Sequence, residues 1–308
     1  MNDLTIVMYH YVRDIRESKY PKIKGLETSG FIRQLDYLID SFNIVKAEDV
    51  IDCVKQGKQL PEHSCLLTFD DGYKDHLTYV LPELLKRNIQ GSFFPPVKCV
   101  VERVILDVNR IHFILASTDN YSKLVRDVDS LCIEYGITPT ELSSYKVQYA
   151  VPSRYDIADV MYVKNILQHV LAEDIRNDIT SKLFKSYVKK AEIDFADELY
   201  LSFDETKTLV DNGMYVGSHG YRHLWLDKET VESQSSEIDS SLKFLKDLGS
   251  RTEDWIMCYP YGAYNSDTLE ILKDRKCVVG LTTKVGLAKI SQDSGLELPR
   301  YNTNDFPQ

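Results

Sequence analysis

Hydrophobic residues follow two rhythms along this chain. Residues 4–9 form a short unbroken apolar run, the pattern of a buried strand. Phe31, Leu35, Leu38 and Ile39 then return at helical spacing, with Ser29 as the expected N-cap. Residues 65–69 predict a second buried strand that runs into Asp70-Asp71-Gly72. The helix expected after it carries Leu77, Val80, Leu81, Leu84 and Leu85 on one face, and residues 92–94 form the next strand. From Ser202 the alternation resumes. Ser202 and Glu205 predict a capping box, the helix they open runs to Asn212-Gly213, and residues 214–218 form a strand. A helix from about Lys228 closes at Gly249 and precedes a strand at 255–259. A helix with Leu269, Ile271 and Leu272 and a strand at 278–281 complete the series. Strands alternating with amphipathic helices predict an α/β protein built on parallel strands.

Between residues 98 and 199 the rhythm changes. This stretch is helical in period, for example at Ile157, Val160, Met161, Ile166, Val170 and Leu171, and carries no catalytic signature. It reads as a helical insertion, 98–199, within a discontinuous α/β domain made of 1–97 and 200–308. Every polar motif outside it sits just after a strand. In parallel α/β folds the loops at the C-terminal ends of strands converge on one mouth, which makes these motifs candidates for a single site.

Bulk properties narrow the function. With 43% hydrophobic and 27% charged residues, the chain is expected to be globular. Its net charge of −10 argues against a nucleic-acid partner, because affinity for a phosphate backbone rests on clustered Lys and Arg. No window approaches the roughly 18 apolar residues of a membrane span. The segment beginning Met1-Asn2-Asp3 has an acid where a secretory leader needs basic residues, and Cys53, Cys65, Cys99, Cys132, Cys258 and Cys277 lie scattered without a Cys-x-x-Cys pair. Reduced core thiols and a cytoplasmic location are the expectation.

Three constellations could carry chemistry. In Thr68-Phe69-Asp70-Asp71-Gly72 two adjacent carboxylates end a buried strand, an arrangement that is costly unless a cation or proton is shared. Alone, it reads more often as a simple turn. His219 and His223, four apart, would face the same side if Gly220 to His223 formed one helical turn, and with a carboxylate they would make a three-ligand site with open positions. Tyr259-Pro260-Tyr261-Gly262 is a rigid turn that reads as plain structure or, beside the other two, as a means of aiming a backbone N–H at a developing oxyanion.

Taken in this order, the three segments resemble the polysaccharide deacetylase family of carbohydrate esterases, over roughly residues 4–97 and 200–303. The resemblance implies a distorted (β/α)7-type barrel, with Asp70 as catalytic base and Asp71, His219 and His223 as ligands of one divalent metal ion, expected to be Zn²⁺. Departures are visible. Cys258 stands where most members carry an Arg that braces the base, Gly220 stands where most have Ser or Thr, and the usual Leu-x-His near the C-terminus is absent, that region reading Leu298-Pro299-Arg300-Tyr301-Asn302. One branch of the family takes its acid His from a Tyr-His pair on the first strand. Met8-Tyr9-His10-Tyr11 resembles that pattern, which makes His10 the candidate acid, and Arg300 is the candidate replacement for the missing brace.

The function implied is metal-dependent removal of an N-acyl group, typically acetyl, from an amino sugar or glycan precursor, with the Tyr261 backbone N–H as oxyanion donor. Two other classes stay open at this level: an inactive carbohydrate-binding or scaffold protein on the same fold, and an amidase acting on a non-sugar amide or cyclic imide. Twenty tyrosines, including Tyr73, Tyr221, Tyr261 and Tyr264 near the motifs, suit stacking on sugar rings or packing within the fold.

Overall fold

The computed structural model describes residues 3–153, 156–290 and 294–308, so Met1 and Asn2 of the N-terminal reading lie outside the described residues. The chain divides into two compact units. The first comprises Met1–Asp14, Gly25–Val104 and Ala196–Gln308; the second comprises Ile15–Lys24 and Ile105–Phe195. The helical unit is thus narrower than 98–199 and takes in a segment from near the N-terminus.

In the first unit the strand Asp3–Tyr9 lies parallel to Ser64–Asp70, which pairs with Ser92–Phe94 and through it with Tyr215–Val216. Ala288–Lys289 pairs antiparallel with the first strand and Tyr301–Asn302 parallel to it. Trp255–Cys258 and Cys277–Leu281 form a separate parallel pair. The fold is α/β with a parallel-rich sheet, and its ladders do not run as one closed ring. Single bridges join the two sheets, Ser218 to Met257, while Leu281 bridges to Leu298.

Side-chain alternation along the central strands decides what faces where. On Ser64–Asp70, Cys65, Leu67 and Phe69 join one core with Val7, Tyr9 and Phe93, whereas Leu66 joins another with Leu4, Ile6 and Ile256. Thr68 and Asp70 share the face of Leu66. Because Met8 pairs with Thr68 and Tyr9 with Phe69, the residue that follows, His10, arrives opposite Asp70. Both faces being covered explains why these strands read as continuous apolar runs.

Several boundaries depart from the expectation. The first long helix spans Thr28–Ser41 with Glu27 at the cap position, so Ser29 lies in the first turn and is not the cap. The Ser202/Glu205 capping box and the left-handed C-cap at Gly249 form as expected. After Asp70 the chain enters a π-helical turn, His76–Val80, before the helix Leu81–Lys86. The extra residue in that turn rotates the later positions, and Leu85, expected in the core, is 44% exposed. All six cysteines are free and buried.

The second unit is a helical assembly that includes Asp107–Ala116, Tyr121–Glu134, Pro139–Tyr149, Ala158–Asn165 and Glu173–Tyr187. Its aromatic centre joins Phe113, Phe184 and Phe195, with Tyr20 edge-on to Phe113 at 5.0 Å. A Thr138/Glu141 capping box starts one helix. No helix among the described residues is long and apolar enough to cross a membrane.

Candidate metal centre and its acid–base pair

Asp70 is the last residue of its strand, and Asp71 turns the chain out of it at φ 73°. Gly72 follows at φ 62°, where a Cβ would come 2.6 Å from the Pro95 side chain and 2.9 Å from its Cα; glycine is therefore required. The two carboxylates then part company. Both are buried, yet each meets a different counter-charge.

Asp70 receives the guanidinium of Arg300: Nη1 donates to Oδ1 at 2.9 Å, and Nη2 stands 2.9 Å from Oδ2. Arg300 is itself held by Nε donating to the Thr282 carbonyl at 2.8 Å and by Nη1 at 3.2 Å from the Thr68 hydroxyl. Burial opposes the ionised form of Asp70, but Arg300, His10 and His219 outweigh it and hold the carboxyl below its ordinary value. The His10 Nε2 lies 4.0 Å from Asp70 Oδ2, with 40% of its side chain exposed.

Asp71 faces the imidazoles. Its Oδ1 stands 3.4 Å from Nε2 of His219 and 3.4 Å from Nε2 of His223, while its Oδ2 accepts a hydrogen bond from the Tyr73 hydroxyl at 2.6 Å. The Nδ1–H of His219 donates to the Cys258 carbonyl at 2.7 Å, which leaves Nε2 aimed at Asp71. Residues Gly220 to His223 do not form a helical turn. Gly220 at φ 72° and His223 at φ 61° bend the loop in the left-handed region, and that bend brings the second imidazole back beside the first. A left-handed position 220 also explains glycine where Ser or Thr is usual in the family. The buried carboxylate of Glu237 pins the loop, accepting from the backbone N–H groups of Tyr221 and Arg222 at 3.0 and 2.7 Å and from Arg222 Nε at 2.6 Å.

The donor set fits a metal ion. The three ligand atoms of Asp71, His219 and His223 all lie within 4.8 Å of one another. Ligands held about 2.0–2.2 Å from a tetrahedral ion stand roughly 3.4 Å apart, which is the spacing found here between the carboxylate oxygen and each imidazole. Charge points the same way. Burial opposes a proton on His219, but Cys258, Asp71 and Asp70 outweigh it and raise its pKa, whereas burial and repulsion from His219 push His223 down to about 3. The two imidazoles are thus driven in opposite directions around one buried carboxylate; a divalent cation would satisfy all three. Asp70, His219 and Cys258 form a second compact group, but the guanidinium on Asp70 already fills the place of a cation there.

Tyr261 adopts φ 58°, ψ 4°, stacks on Trp225 at 4.3 Å and meets the His223 ring edge-on at 4.6 Å. Of the other tyrosines, Tyr73 is wholly buried and serves Asp71, Tyr221 donates to Glu102, and Tyr264 donates to Glu297 and stacks on Tyr259. Sequence reasoning missed Glu237, the Tyr73 hydrogen bond and His76. The last is wholly buried, and its Nε2 donates to the His10 carbonyl at 2.9 Å. Burial holds His76 down to about 4, and its Nδ1 has no hydrogen-bond partner among the described residues, a deficit worth about 1–3 kcal/mol.

This α/β fold carries a His–His–Asp cluster at its strand ends, and several known proteins resemble the chain in part. Residues 175–279 match the family model described as polysaccharide deacetylase. That stretch holds His219, His223 and Tyr261, but not Asp70, Asp71 or Arg300. A curated Bacillus subtilis (strain 168) protein, "Putative polysaccharide deacetylase YxkH", is 31% identical over 97 residues, 32% of this chain and 34% of the relative, so the match spans about a third of that protein. Among solved structures, the Streptococcus pyogenes deacetylase PplD superposes with a TM-score of 0.60 at 17% identity, covering 97% of this chain and 92% of that one. IcaB from Ammonifex degensii gives 0.52 at 17%, covering 97% and 88%. At these identities the structural likeness is one of fold. The resemblance to the polysaccharide deacetylase family read from the motifs is therefore met by a family-model match, a curated relative and the architecture.

Proposed function

We propose that this chain is a metal-dependent N-deacylase that removes an acyl group, expected to be acetyl, from an amino sugar or glycan precursor. One observation carries the reading: three donor atoms at metal-ligand spacing lie next to an ionised, buried Asp70 that faces His10. When bound, a divalent cation, expected to be Zn²⁺, supplies Lewis acidity toward the acyl carbonyl and toward water. The chain does the rest. Asp71, His219 and His223 hold the ion, and Asp70 takes the proton of the attacking water. A carboxylate so stabilised is a weak base, and it suits a water whose own acidity is raised. His10, partly exposed, gives its proton to the departing amine, and the Tyr261 backbone N–H steadies the oxyanion. Arg300 keeps Asp70 ionised. A nucleotide-linked or lipid-linked amino sugar is the proposed substrate class, in keeping with the cytoplasmic location expected from the sequence.

The test pairs metal analysis of chelator-free protein with acetate release from a panel of N-acetylated sugars. Stoichiometric metal and turnover are expected, and Asp70→Asn should keep the metal while lowering kcat by about 10²–10⁴-fold. Equal activity in that variant removes Asp70 from the role of base. Metal without turnover on any amide favours a carbohydrate-binding protein, and turnover confined to non-sugar amides or cyclic imides favours the amidase.

A further inference from the structure

His76 is a polar side chain in a place that apolar packing would fill better. The rings of Phe69, Tyr73 and Phe93 surround it at 5.6, 5.7 and 5.6 Å. One nitrogen, Nδ1, is buried without a hydrogen-bond partner among the described residues. The other makes a single hydrogen bond, 2.9 Å to the main-chain carbonyl of His10, and since a carbonyl only accepts, Nε2 must carry the proton. The backbone concedes something as well, because His76 opens the π-helical turn His76–Val80, a rare insertion that re-aims side chains. Two departures from ordinary stability thus serve to place one N–H on one carbonyl.

That carbonyl belongs to the residue that needs support. The first strand ends at Tyr9, so His10 lies just past the ladder, and its ring, 40% exposed, stands 4.0 Å from Asp70. We infer that His76 is a positioning residue that anchors the His10 main chain, keeping the His10 imidazole beside Asp70 and within reach of the leaving amine. The inference rests on the deacylase reading above only for its effect on turnover; the anchoring itself can be measured without substrate.

The experiment uses the full chain in three forms. In the wild type, nitrogen-detected NMR at pH 7 should show His76 as the Nε2–H tautomer. His76→Phe fills the aromatic pocket but cannot donate. It should keep or raise the melting temperature, displace the His10 ring resonances and their titration, and lower kcat by about 10²-fold while KM stays within about 2-fold. His76→Gln, whose amide can donate, should recover most of the rate and the His10 resonances. An Nδ1–H tautomer in the wild type would overturn the inference without any variant. So would a folded Phe variant with unchanged His10 resonances, or a lower melting temperature with wild-type kcat per folded molecule. If the wild type hydrolyses no N-acyl sugar, the deacylase reading fails, and the tautomer and His10 titration still decide the anchoring.

Discussion

Asp70 and Asp71 are adjacent in sequence, yet the two sides of the site they anchor are built differently. On the base side, a carboxylate is closed off by a permanent cation, Arg300, which is itself held by Thr282 and Thr68. On the proposed metal side, a carboxylate faces two titratable imidazoles and accepts a hydrogen bond from a neutral phenol, with no permanent cation in contact among the described residues. The first arrangement already has its cation; the second, on the proposed reading, receives one as a metal ion. What separates them is the chemistry of the partner, since burial is nearly the same for both.

The largest test of this contrast is His219→Ala. Loss of one of three ligands should abolish stoichiometric metal, measured by atomic emission, and turnover should fall further than in Asp70→Asn, where metal content stays intact. If both variants retain metal equally, the two sides are not distinct. Next in size is Arg300→Ala, which strands a buried carboxylate. A loss of about 3–5 kcal/mol in denaturant unfolding at pH 7 is expected. Because the Asp70 pKa is lowered in the folded state, the stability it contributes is present above its ordinary value of 3.8 and lost as pH falls through the folded value, so the deficit should shrink in acid. Asp70→Asn combined with Arg300→Met should regain most of the loss.

A smaller effect tests the support beneath the base side. His76 titrates at about 4 in the folded chain against an ordinary 6.5. The stability tied to its neutral form is whole above pH 6.5 and is lost as pH falls toward 4, while His76→Phe has nothing there to protonate. The stability gap between variant and wild type should therefore widen in the variant's favour by up to about 3 kcal/mol over that interval. A flat gap would mean that the imidazole is not held neutral. Smallest is Tyr73→Phe on the metal side. Losing the hydrogen bond to Asp71 should weaken metal binding by about 10–100-fold in competition with a chelating indicator, with little change in unfolding.

Much of this was legible in the sequence because parallel strands are apolar throughout, so that polar residues at their ends stand out. Asp70, Asp71, His219 and the Tyr259–Gly262 turn all announce themselves in this way, as does the α/β architecture. Arg300 drew notice only through the absence of an Arg at position 258. Backbone conformation was not legible. The left-handed turns at Gly220 and His223 replace the helix that i, i+4 spacing suggests, because Glu237, far along the chain, pins the loop by its N–H groups. Periodicity also failed after Asp71, for a π turn adds one residue and shifts every later side chain around the axis. His76 opens the turn facing inward, and the shift beyond it turns Leu85 out. Ser29 lost its role as cap because Leu26–Glu27 pairs with Val12–Arg13 and the helix begins directly after it.

The ion pair between Arg300 and Asp70 spans 230 positions of chain. During synthesis the first strands can assemble long before residue 300 leaves the ribosome, and until then Asp70 is a buried acid lacking its counter-charge. Such a carboxylate stays protonated or wet, and a protonated one accepts no proton from water. On the proposed reading, Asp70 therefore gains its role as base only once Arg300 has docked beside it, and a molecule in which that pair has yet to form is kept silent by simple electrostatics.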